Sequence, residues 1–265
     1  MRKDPVQPGL PVRLQVLGLA IAVFVACKGV STPAEPRRPA GPSRPLNQTL
    51  YTADITFHFA QGDTMNAAYQ QAFHEWAVPH LGISMPRRLR YFKYFNIAHM
   101  REITGMPYDS WAEVENYAIH SIEPQQGHEA IHVYSYVIGW PSDFFTEGIA
   151  CALDINPYTG EEVLLFGTPL HTLCRAWLVE GTLYPLRNIV GNQGFGSRVL
   201  EQCYSQAGSF TKFIIAEFGL EPLKEIFRTV GDYDSTSDIL AKFESAYGIP
   251  LEEAERRWHD FLRRW

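Results

Sequence analysis

The segment GHEAIHVYSYVIGWPSDFFTEGIA, Gly127 to Ala150, organises the reading of this chain. It holds two histidines and two glutamates within about seven helical turns. His128 and His132 are four residues apart. On a helix such residues differ in direction by about 40°, so both imidazoles leave one face and can grip one ion. Glu129 stands beside the first of them, near that ion but angled away from it, as the base for an activated water should be. Gly139, Trp140 and Pro141 interrupt the helical pattern, and Pro141 can open a second helix. That break lets the second helix fold back so that Glu147 faces the histidines. Two imidazoles and one carboxylate are the ligand count of a catalytic zinc site, which keeps a fourth position open.

Other ligand sets fit less well. The metzincin extension needs Gly and His where this chain has Ser135 and Ile138. A structural zinc site is usually closed by four ligands, often cysteines, and no CxxC is present.

The whole chain bounds the rest. Its 265 residues allow one domain or two small lobes, and 46% hydrophobic content is enough to bury a real core. A formal net charge of -6 argues against a nucleic-acid binder, which would need a basic face. Arg2, Lys3 and Arg13 flank or precede an apolar run, Leu14 to Ala26, that is too short for a comfortable membrane span. Residues 1–26 therefore read as a signal peptide. The junction FVAC, ending in Ala26–Cys27, resembles the lipobox of bacterial lipoproteins, which implies a lipid on Cys27 and an envelope location. An ordinary secretory signal is the alternative. Residues 27–48 are rich in Pro, Ser and Gly and read as a disordered tether. In an oxidising compartment Cys151, Cys174 and Cys203 allow one disulfide and one free thiol, with the pair left open.

Periodicity predicts an α+β fold for residues 49–265. Leu50–Phe59, Arg87–Phe95 and Glu113–Ile122 read as strands. Thr64–Gly82 and a short run stopped by Gly105 read as helices, completing a mixed lobe over 49–126. From 127 onward the pattern is helical. Tyr204 opens a helix that ends on Gly219, another runs from Pro222 to Gly231, and two more follow. In the last, Leu251, Ala254, Trp258 and Trp265 recur at helical spacing, the pattern of a terminal helix packed on the core.

GHEAIH followed by DFFTEGIA resembles the gluzincin metallopeptidases, the peptidase MA-like group. YSQAGSFTKFIIAEFG and GIPLEEAERRWHDFL resemble that group's later helices. The resemblance implies a zinc site in the cleft between the two lobes, with Zn2+ on His128, His132 and Glu147 and with Glu129 as the catalytic base. The substrate would be a peptide or protein. It also implies a donor for the tetrahedral oxyanion. Tyr204 is the choice, with His171 and Tyr184 as competitors. Each ligating histidine wants an acceptor on its other nitrogen, for which Cys151, Asp143, Asp154 or a backbone carbonyl would serve. The alternative function is a zinc-retaining module that binds peptides without hydrolysis. The intact Glu129 argues against it, because a binding module has no use for a base there.

Overall fold

The computed structural model describes residues 44–265. Residues 1–26, Cys27 and most of the expected tether lie outside the described residues. The fold is α+β: a five-stranded mixed sheet in the N-terminal part, then a helical C-terminal part.

Strands β1 (Gln48–Tyr51), β2 (Ile55–Phe59), β3 (Leu89–Lys93), β4 (Ser110–Glu113) and β5 (Ala118–Ser121) lie in the order β1-β2-β3-β5-β4. The three central strands run parallel and both edges are antiparallel. Helix α1 (Ala67–Leu81) crosses from β2 to β3, and α2 (Ile97–Thr104) follows β3. Alternation in β2 and β3 sends Ile55, Phe57, Leu89 and Tyr91 to one face, where they meet Phe73, Ala77 and Leu81 of α1. The opposite face carries a cross-strand ladder of rings, His58–Phe92–His120–Trp111, with centroids 4.8, 4.8 and 4.2 Å apart.

Two expected strands are each divided. Leu50–Phe59 turns back at Thr52–Asp54 because these residues bond to α1: the Thr52 hydroxyl donates to Gln71 Oε1 at 2.6 Å, and Asp54 N–H donates to the same oxygen. Glu113–Ile122 is broken by a 3-10 turn at Val114–Asn116 and by Tyr117 in the left-handed region, φ 51°. The Arg87 guanidinium covers the Tyr117 ring at 4.6 Å. This second reversal makes β4 an edge strand, next to the first helix of the C-terminal part.

That helix is α3 (Gly127–Tyr136), followed by α4 (Asp143–Leu153), α5 (Leu170–Glu180), the short α6 (Asn192–Gly196) and α7 (Leu200–Phe218). α8 (Glu221–Thr229), α9 (Thr236–Tyr247) and α10 (Leu251–Arg264) complete the chain. Pro141 precedes the N-cap Ser142 instead of opening α4 itself. The cap bond comes from elsewhere: Asn192 Oδ1 accepts Asp143 N–H at 2.6 Å. Gly139 lets the α3–α4 turn press on α8, since a Cβ there would stand 1.8 Å from the Phe227 carbonyl oxygen. Helix α7 begins a turn before Tyr204, and α5 and α6 are additions to the sequence reading.

A continuous apolar core runs from Phe57 and Tyr91 of the sheet through Ile131 and Phe144 to Trp258 and Leu262. α10 packs through Leu251, Ala254, Trp258 and Leu262, while Trp265 stays 57% exposed at the end. Among the described residues the disulfide that these cysteines allow is not formed: Cys151, Cys174 and Cys203 are buried and free. Cys174 donates instead to the Ser205 carbonyl and Cys203 to that of Phe195. Among the described residues no helix is long and apolar enough to cross a membrane.

Candidate metal centre

α3 is buried along its length from Gly127 to Ser135. It packs on β4 and β5 to one side and on α4 to the other. Its N-cap residue, Gln126, gives no side-chain cap bond. Asp154, at the end of α4, sets its buried carboxyl against the start of α3 at Gly127. Gly127 makes room for this, because a Cβ there would lie 2.1 Å from Asp154 Oδ1. The two helices that carry the histidines and Glu147 are thereby tied together at one end.

The three expected ligand residues converge. His128 Nε2 lies 3.2 Å from Glu147 Oε2 and 3.2 Å from His132 Nε2, and His132 Nε2 lies 3.4 Å from Glu147 Oε2. All three residues are buried. A tetrahedron with metal–ligand bonds of 2.0–2.1 Å has edges of about 3.3–3.4 Å, so the triangle has the size of one face of a zinc coordination sphere. The donor set, two imidazole nitrogens and one carboxylate oxygen, also suits that ion. Burial works against ionisation of Glu147, but the imidazoles of His132 and His128 outweigh it and hold the carboxyl at about 2.

Glu129 points elsewhere, as a residue next to a ligand on a helix must. Its Oε1 accepts a hydrogen bond of 2.9 Å from the Ser110 hydroxyl of β4. Burial pushes its pKa up, and the Glu147 charge adds to this, while the two imidazoles and Ser110 oppose it. Tyr204 enters from α7, its ring nearly parallel to that of His128, with centroids 6.4 Å apart.

The competitors for the oxyanion role lie in other surroundings. His171 Nδ1 pairs with Ser209 Oγ at 2.8 Å, and its ring packs against Phe261 and Trp265. Tyr184 binds Gln206 through its backbone and lies under the Arg198 guanidinium. Among the expected supports, Cys151 faces His128 Nδ1 at 4.0 Å. Asp154 lies against Gly127 at the start of α3. Asp143 lies near enough to His132 to be stabilised by it, yet burial pushes its carboxyl up to about 7. His132 Nδ1 is buried and has no hydrogen-bond partner among the described residues.

Sequence reasoning missed Ser110 and the packing glycines. A Cβ on Gly148 would stand 2.4 Å from Thr211 Oγ1. Gly148 and Gly208 sit inside helical patterns, and that placement is a readable signal of close packing. Ser110 carries no such signal. No protein-family model, curated protein or solved structure matches the chain.

Proposed function

We propose that this protein is a zinc metallopeptidase of gluzincin type that hydrolyses a peptide or protein substrate at the bacterial cell envelope. The observation that carries the reading is the buried His128–His132–Glu147 triangle, with edges of 3.2–3.4 Å and an acid beside it that is not one of its corners. Zinc held by these three residues would supply the Lewis acidity that polarises a carbonyl and acidifies a water. Glu129 takes the proton of the attacking water and passes it to the leaving amine. Glu147 stays ionised and carries the fixed negative charge. Tyr204, beside His128, is the proposed donor to the tetrahedral oxyanion.

The envelope location rests on Cys27 as the lipidated residue, outside the described part of the chain. The deciding experiment is an unbiased peptide-library cleavage assay on the zinc-loaded full chain. Cleavage that disappears on zinc removal and returns on zinc addition is expected. Stoichiometric zinc without cleavage would favour the peptide-binding module instead.

A further inference from the structure

The edge strand β4 reaches into the site through one side chain. Ser110 and Glu129 are 2% and 1% exposed, and the hydroxyl of the first donates to Oε1 of the second at 2.9 Å. The direction of Ser110 is set by the strand. Alternation puts neighbouring Trp111 on the opposite face, where it stacks on His120 with centroids 4.2 Å apart and planes 2° from parallel. The pairing of Ser110 with Ser121 and a 2.9 Å bond from its N–H to Asp109 Oδ1 hold the backbone at the same point. Glu129 is on α3, whose start packs at Gly127 directly against the Asp154 carboxyl. The acid is therefore gripped between a locked strand and a locked helix.

From this geometry we infer that Ser110 is a positioning residue for Glu129: its hydroxyl engages Oε1 and aims Oε2 at the reacting water. The inference rests on the role proposed for Glu129. A carboxylate on a glutamate stem has free χ torsions, and one charge-assisted hydrogen bond removes much of that freedom. Ser110 itself transfers no proton in this account.

The test is a double-mutant cycle on the zinc-loaded full chain: wild type, Ser110→Ala, Glu129→Ala and the double variant. Acetohydroxamic acid is the probe, with its Kd measured by calorimetry. A hydroxamate chelates zinc and hydrogen-bonds through its acidic O–H to the nearest base, so its affinity reports how that base is aimed without any turnover. Ser110→Ala should weaken binding roughly tenfold when Glu129 is present and change it little when Glu129 is Ala. Ser110→Thr, which keeps the hydroxyl, should recover most of the loss, and zinc content should be equal throughout. On a cleaved peptide, Ser110→Ala should lower kcat with KM nearly unchanged. An equal effect of Ser110→Ala in both backgrounds, or none in either, overturns the positioning role. Coupling in the cycle without any peptide cleavage would leave Ser110 as Glu129's positioner and overturn the peptidase reading. Cleavage without coupling would do the reverse, and a chain that takes up no zinc would overturn both.

Discussion

A Cβ placed on Gly208 of α7 would stand 2.6 Å from the Cβ of Cys151 on α4. The two helices therefore meet at backbone distance, and Gly148 makes the matching approach from the α4 side, against Thr211 and the Ala207 carbonyl. Glu147 precedes Gly148, and Cys151 faces the His128 ring, so this contact positions the site as well as the core. Gly208→Ala and Gly148→Ala should each destabilise the protein by about 1–3 kcal/mol through overpacking. Urea unfolding of the full chain checks this. Zinc affinity should fall in the same variants, because the helix that carries Glu147 is displaced.

The ligand triangle predicts one zinc per chain. His128→Ala combined with His132→Ala should abolish binding. Glu147→Gln should weaken it by at least the ~10–100-fold typical of losing even an outer partner of a metal site. Elemental analysis and competition with a chelator measure both, and wild-type zinc content in the double histidine variant would remove the site.

Glu129→Gln separates base from ligand. It is nearly isosteric and leaves the three corners of the triangle untouched. Zinc content should stay at the wild-type level while cleavage falls by about 10²–10⁴-fold. Equal cleavage by wild type and variant would exclude the role assigned to this acid.

Asp154 predicts a pH dependence in the metal-free chain. Burial pushes its carboxyl from 3.8 up to about 7. Between those values the folded state holds a proton that the unfolded chain has lost, so stability falls as pH rises through the window. Asp154→Asn removes this titration while nearly conserving the shape of the side chain. At pH 8 the variant should be more stable than wild type by about 2–4 kcal/mol, and near pH 4 the difference should be small. Asp143, also near 7, contributes the same sign and leaves a residual slope. Thermal melts at several pH values decide it. Buried His120 and His171, both lowered to about 4, add the opposite slope to both proteins, so the wild-type/variant difference is the readout. A difference that does not grow from pH 4 to 8 would contradict the prediction.

Cys27→Ser should block lipid attachment and move the protein out of the membrane fraction. Mass spectrometry of the mature N-terminus checks the same point directly. An unmodified start elsewhere would establish the ordinary secretory route.

How much was legible follows from what each feature depends on. The spacing of His128 and His132 dictates a shared helical face, because helix geometry is local, and the same geometry turns Glu129 away from the ion. The break at Gly139–Pro141 was visible in the sequence, as were the helix stops at Gly82, Gly105 and Gly219 and the apolar stripe of α10. The turns inside Leu50–Phe59 and Glu113–Ile122 were not visible. They depend on partners distant in sequence, Gln71 for one and the Arg87–Tyr117 contact for the other, and strand patterning is blind to both. The three cysteines read as a pairing problem because their number is a local fact. The structure separates them onto three helices with three different neighbours.

Which residues could converge as a two-histidine, one-glutamate cluster was readable along the chain, since that depends on a four-residue spacing and a helix break. What surrounds them is set by how the elements pack: the 3.2–3.4 Å triangle, Asp154 against Gly127, and Ser110 on Glu129 from nineteen positions earlier in the chain. Those contacts join the edge strand β4, helix α3 and helix α4 with Asp154 at its end. Their distances are fixed by how whole elements pack, through Gly127, Gly139, Gly148 and Gly208, and packing of that kind is a property of the assembled core and of no single segment.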